Sequence, residues 1–342
     1  MSIEKEKILK YIRKQFNDIP LKDIQDEIAK ILQVSPATAY NKIAGRNDFT
    51  LGEFIQLSIH KNFSVDKMIH AASSNKNAPL EFIADGLEAR PASFLAYFEK
   101  VMQNVLNAKP SSAKTKATFV CLQPHVFHLM KYPYLLYLKL YTYNLINWQI
   151  KSIKNYDPTG FLHDAKTQSL IKKLHNAYQS IPIVEMVGHN FIHPFCSQLE
   201  YLIKTRIIKD PDHLKQIKAD MYAFLSDMEE AAAKGIKING KGEEMPVEVY
   251  INKFIHVSNI ILIESEEGDF LTIQCDVPDV LTTYNTHYID HFKKWMESNR
   301  VYAIKISKSG GLERKEFFER NVKHVDMVMA YLEKSFKHID SL

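Results

Sequence analysis

Apolar residues at the start of the chain recur every three or four positions, and the breaks between these runs carry helix-capping chemistry. In residues 3–16, Ile8, Leu9, Ile12 and Phe16 make one stripe, which predicts an amphipathic helix ended by Asn17, Asp18 and Pro20. Leu21, Ile24, Ile28, Ile31 and Leu32 place a second helix over residues 21–32. Ser35 followed by Pro36 starts a third, because the serine oxygen accepts an orphan N–H and proline lacks that donor anyway. This helix runs to about Ala44, with Gly45 as its stop. Thr50 caps a fourth, which carries Leu51, Phe54, Ile55 and Leu57 to Ile59, and a fifth short helix is predicted over 64–68.

The pattern loosens over residues 71–78 and again over the Ser-, Lys- and Ala-rich 109–116, with helices predicted around 79–87 and 93–106 between them. Beyond them a short strand at 118–122 precedes helices over 126–150, 165–178, 183–208 and 211–234, the last opened by Asp210 and Pro211. After Gly235 the reading becomes strand-like at 247–255, 259–264 and 270–274, with Glu266 to Asp269 as a hairpin turn. A helix at 288–297 and a strand at 301–306 follow. A long helix over 313–339 closes the chain, its stripe formed by Phe318, Val322, Val325, Met329, Leu332 and Phe336.

Composition changes this picture little. Among 342 residues, 46 % are apolar and 25 % charged, values of an ordinary globular protein that exclude a disordered, collagenous or coiled-coil chain. Cys121, Cys196 and Cys275 are far apart and odd in number, so no disulfide framework is implied and a reducing compartment is the natural setting. Lys10, Arg13 and Lys14 stand where a signal peptide needs its apolar core, and no run reaches the roughly 18 apolar residues of a membrane span. The expectation is a cytoplasmic protein without a membrane partner. Charge is more informative in its distribution than in its total of +4. Residues 101–156 contain no Asp or Glu but seven lysines, which suits either a phosphate backbone or acidic partner, or a solvated face balanced by the acidic stretch 227–230.

The second and third helices, joined by a three-residue turn, make a helix-turn-helix: one helix braces, the other presents its outer residues to the major groove. Ala29 is small where the helices cross, Val34 plugs the turn, and Ile43 closes the third helix from beneath. Of the outward candidates, Thr38 and Asn41 offer directional bonds to base edges and Ala37 a contact for a thymine methyl. Lys42, Arg46, Lys61, Ser35 and Thr50 are placed to position phosphates, Tyr40 suits either task, and Pro36 lies at the helix start, whose N–H groups favour anions. The stretch QDEIAKILQVSPATAYNKIAGRNDFTLGEFIQLS resembles the helix-turn-helix of the phage repressor and Cro-like family, with Gln25, Ala29, Val34, Ser35 and Gly45 on its pattern and Leu51 and Phe54 on its fourth helix. The resemblance covers roughly residues 5 to 70. It implies a lambda-repressor-like fold, double-stranded DNA as partner, a homodimer on a palindromic site, and Gln25, Pro36, Ala37, Thr38, Asn41 and Lys42 as the contact set. Two departures stand out: Gln33 occupies the turn position where the family has Gly and where φ can be positive, and no acidic residue ends the third helix.

The expected class is therefore multidomain, with an all-α helix-turn-helix domain followed by a mainly helical α+β region. Residues 1–72 form the DNA-binding domain, 73–116 a helical linker region, 117–235 a helical domain and 236–342 a small α+β domain packed on the preceding helices. Elsewhere, Glu185, His189 and His193 are spaced by four and, on a helix, share one face that can hold zinc or iron; hydrogen-bonded structural histidines are the competing reading. They do not form HExxH, because Asn190, Phe191 and Ile192 separate the histidines. His125 with His128 is a sparser pair, and Tyr132, Tyr134, Tyr137, Tyr141, Tyr143 and Trp148 suit a helix core or a pocket. Neither GxGxxG nor a P-loop occurs, so no cofactor is expected, and residues 234–242 read as a connector. These features point to a sequence-specific transcription regulator whose C-terminal region dimerises or senses a small-molecule or protein effector. The rival readings are a structural or protein-interaction module with no nucleic-acid role and an enzyme fused to a DNA-binding domain.

Overall fold

The computed structural model describes residues 3–16, 20–61, 83–85, 115–146, 156–255, 259–265, 268–274 and 280–339. The chain divides into two units, Met1–Glu81 and Phe82–Leu342. The first contains α1 (Ile3–Lys14), α2 (Leu21–Leu32), α3 (Pro36–Ile43) and α4 (Leu51–Lys61). Their apolar stripes meet in one core of Ile12, Phe16, Ile24, Ile28, Ala29, Leu32, Ala39, Ile43 and Leu57, with Val34 packed against it as the turn plug. The predicted fifth helix at 64–68 and the one at 93–106 lie outside the described residues.

The second unit is a mixed α+β body built on one sheet, nine-stranded among the described residues. Its elements are β1 (Ile83–Asp85), β2 (Lys116–Cys121), α5 (Val126–Leu129), α6 (Pro133–Ile146), α7 (Thr159–His163), α8 (Ala165–Gln179), β3 (Ile183–Gly188), α9 (His193–Lys204), α10 (Pro211–Lys234), β4 (Ile236–Ile238), β5 (Glu244–Asn252), β6 (Ile260–Glu264), β7 (Phe270–Gln274), β8 (Val280–Thr283), α11 (Thr286–Arg300), β9 (Ile304–Lys305) and α12 (Gly311–Ile339). The strand order is β1-β8-β7-β6-β2-β3-β5-β4, with β9 also on β5. β2, β3 and β5 run parallel, whereas β6, β7, β8 and β1 pair antiparallel from the far side of β2.

Alternation along the strands distributes side chains to two cores. Ala117, Phe119 and Cys121 of β2 face the larger one with Leu135, Leu174, Leu199, Ile217, Phe318 and Met329 from the surrounding helices. Val120 and Met186 face the other, where Ile289, Phe292 and Met296 of α11 cover the sheet. Both faces are therefore buried, as central parallel strands require. Asp220 on α10 ties the helical layer together by accepting the free N–H groups of Tyr134 (2.7 Å) and Leu135 (3.2 Å) at the start of α6.

Several expectations change. Residues 183–208, read as one helix, are β3, a short turn and α9; the segment Ile183 to Gly188 is buried at every position, so it lacks the alternation that marks a half-exposed strand. The helix expected over 126–150 is broken ahead of Pro133 into α5 and α6. Residues 83–85, placed within a helix, form β1 on β8, and part of the connector at 234–242 forms β4 on β5. Strands from 117–235 and from 236–342 share one sheet, so position 235 divides no sheet and the C-terminal strands do not make a separate layer. Among the described residues no helix is long and apolar enough to cross a membrane.

Candidate nucleic-acid interface

α2, α3 and the turn between them are held by side chains that their own sequence supplies. Gln33 ends α2 in the left-handed conformation (φ 53°, ψ 42°), and the N–H of Val34 then reaches the carbonyl of Ala29 at 3.1 Å. Ser35 is extended and caps α3, its Oγ accepting the N–H of Thr38 at 3.1 Å and lying 2.9 Å from the Thr38 hydroxyl. Pro36 opens the helix as the cap requires. At the far end Gly45 adopts φ 75° and Arg13 of α1 donates to the carbonyl of Ile43 at 2.7 Å. Gln25 spans the two helices, donating from Nε2 to the carbonyl of Pro36 at 3.1 Å. The start of α3 is thus fixed from within its helix and from α2.

This scaffold leaves Pro36, Ala37 and Tyr40 exposed, with Thr38 and Asn41 half-buried beside them and Arg46 exposed just past the helix. Arg46 packs its guanidinium over the Tyr40 ring, 5.4 Å from the centroid, and lies 3.4 Å from Asn41 Oδ1. Such contacts keep the three side chains ordered on one surface without burying them.

Lys42 and Thr50 sit differently from an outward phosphate contact. Lys42 is buried, and its ammonium donates to the carbonyl of Asp48 at 2.8 Å and to Glu53 Oε2 at 2.9 Å. Thr50 forms a capping box with Glu53: the carboxylate accepts the Thr50 N–H at 2.7 Å, and the Thr50 hydroxyl accepts the Glu53 N–H at 3.3 Å. Partial burial acts to raise the Glu53 carboxyl, yet Lys42 and Thr50 hold it below the ordinary carboxylate value. Lys61 is likewise committed, paired with Glu27 and set over the Phe16 ring. Sequence reasoning passed over Glu53 and Arg13; the T-x-x-E spacing from Thr50 was the available signal for the first.

In the second unit, Glu185, His189 and His193 do not converge. Glu185 lies on β3 and turns into the helical core, whereas His189 follows the strand and His193 starts α9. Among the described residues no group of His, Cys, Asp and Glu is arranged to hold a metal. Glu185 instead accepts the Tyr178 hydroxyl at 2.8 Å and lies 3.2 Å from His128 Nε2. Because His128 Nδ1 accepts the N–H of His125 at 2.9 Å, the ring proton resides on Nε2 and faces the carboxylate. Burial acts to raise Glu185, but His128, Tyr178 and Lys237 hold its carboxyl low. His125 caps α5 through Nδ1, and burial, with His128 and Lys139, keeps it neutral.

The tyrosine cluster is core: Tyr132, Tyr137 and Tyr141 are buried, while the side chain of Tyr143 and the whole of Trp148 lie outside the described residues. The basic block is partly balanced from within, since Lys131 pairs with Asp227 and Lys139 is buried beneath Phe195. Compared with protein-family models, curated proteins and solved structures, the chain matches none.

Proposed function

We propose that the N-terminal unit binds double-stranded DNA through α3, and that the protein is a sequence-specific transcription regulator acting as a homodimer, with the Phe82–Leu342 unit serving dimerisation or effector sensing. The observation that carries this reading is the Gln25 bond to Pro36. It fixes the start of a capped helix while leaving Ala37, Thr38, Tyr40, Asn41 and Arg46 at the surface, as a groove-reading helix needs. Asn41 and Ala37 have base-reading chemistry, and Arg46, exposed just past α3, is a cation for a phosphate. A dimer places two copies of α3 about 34 Å apart and doubles the contacts of a unit with little net charge.

The test is a mobility-shift selection with the full chain against a genomic fragment library, followed by salt titration on the selected site. Asn41→Ala should relax sequence preference, whereas Arg46→Ala should weaken all fragments alike and reduce the salt slope by about one. Absence of salt-dependent binding by the intact protein rejects the proposal.

A further inference from the structure

The carboxyl ends of parallel strands are where α/β sheets place their ligands, because loops splay apart there and helix N-termini point inward. In the second unit the ends of β3 and β5 carry an unusual set of cationic and titratable side chains. After β3 comes His189, and Arg320 of α12 lays its guanidinium against that imidazole, donating to a ring nitrogen. One turn along α12, His324 stacks on His193 at the start of α9, with ring centroids 3.4 Å apart and planes within 10°. Gly188 and Asn252 are register partners at the ends of β3 and β5, so Lys253 follows β5 where His189 follows β3.

The loop is held in place rather than draped. Asn321, fully buried between Arg320 and His324 in sequence, accepts the Ile192 N–H at 3.1 Å and donates to the Phe317 carbonyl at 2.8 Å. α9 begins at Ile192, whose N–H is the one Asn321 accepts; the His193 N–H goes to the Asn190 carbonyl at 3.2 Å, and Pro194 has none to offer.

We propose that this edge is a binding site for the phosphoryl group of a small ligand, held by Arg320, Lys253 and His189, with His193 and His324 taking up a proton as the dianion arrives. Among the described residues no carboxylate pairs with Arg320 or Lys253. The nearby acids, Glu316 and Glu319, line a surface groove of about 280 Å³ with Arg320 and Lys323, and Glu319 is drawn toward Lys315 at 3.7 Å. Burial first, then His324, His189 and Arg320, hold His193 down to about 4, and His189 and His324 are also lowered. A tetrahedral dianion reverses the sign of the local field and favours the imidazolium forms.

This inference concerns the second unit and does not depend on DNA binding by the first. It is tested by calorimetric titration of the full chain with sulfate, whose charge is constant, and then with inorganic phosphate and a nucleoside monophosphate. Sulfate should bind several-fold more tightly near pH 6 than near pH 8, with proton uptake read from the buffer dependence of the heat. Arg320→Gln and Lys253→Gln, both at exposed positions, should each weaken binding about tenfold while leaving the thermal transition in place. Tighter binding of the nucleotide than of phosphate, lost in the exposed-ring variant Phe254→Ala, identifies an organic phosphate; equal or stronger binding of phosphate identifies the free ion. No binding of any of the three probes at millimolar concentration, or binding indifferent to both charge variants, overturns the proposal.

Discussion

Replacing Gln33 by glycine isolates the cost of making the turn between α2 and α3 with a residue that carries a Cβ. The backbone there sits at φ 53°, ψ 42°, and the side chain is exposed, so no packing is lost on substitution. An L-residue in the left-handed region costs about 1–2 kcal/mol. Glycine returns about 0.5–1 kcal/mol of that through its larger unfolded-state entropy. The net expectation is a gain of about 0.5–1 kcal/mol, which for a unit of this size is a rise of about 2–8 °C in its transition. Hydrogen exchange of α2 and α3 amides in the full chain, across a urea series, reads this unit separately from the other. DNA affinity at fixed salt should be unchanged, because Gln33 is not among the α3 surface residues. A lower midpoint for Gln33→Gly would falsify the strain reasoning, and an equal one would mean that the conformation costs no more than glycine's entropy. Arg206, at φ 56° in the second unit, offers the matched control: Arg206→Gly should move only that unit's transition.

Two further outcomes follow from buried ammonium groups. Lys139 is fully buried on α6, and burial, opposed by Cys121, pulls it down to about 7. The unfolded chain keeps that proton to about pH 10.4, so stability should rise with pH from about 7 to about 10 and be least below 7. Lys139→Met should add about 2–5 kcal/mol at pH 7 and flatten this slope, leaving the share due to Lys237, also lowered to about 7 by burial; a less stable methionine variant in chemical denaturation contradicts the assignment. For Lys42→Ala the expectation is loss of about 1–3 kcal/mol in the N-terminal unit, because Glu53 is left half-buried without its partner, with the salt slope of DNA binding unchanged. A reduced slope in that variant shows Lys42 reaching phosphate after all.

The N-terminal helices were readable because their ends carry local chemistry. Ser35 with Pro36, Gly45, and Thr50 with Glu53 each act within a few residues, and α10 is bounded in the same way by Asp210 and Gly235. The strand β3 was not readable as a strand, since burial on both faces erases the period that distinguishes it from a helix. Glu185 therefore seemed to share a face with His189 and His193, while its partners, His128 and Tyr178, come from separate elements packed on the sheet. Lys42 shows the same limit at short range. Its sequence position suits DNA, but its charge is satisfied eleven residues away by a carboxylate that also caps α4. The convergence of Arg320 on His189 spans even more of the chain and left no trace in local pattern.

The pairing of β1 with β8 can form only late in synthesis. The four N-terminal helices make their contacts within one short stretch, so they can form soon after leaving the ribosome. Residues 83–85, next in the chain, find their partner only when Val280 to Thr283 have been made. For most of translation the growing sheet has an open edge and an incomplete helical cover, while the N-terminal unit is already folded ahead of it. A nascent chain stalled before β8 should therefore present a protease-resistant N-terminal unit on a protease-sensitive remainder.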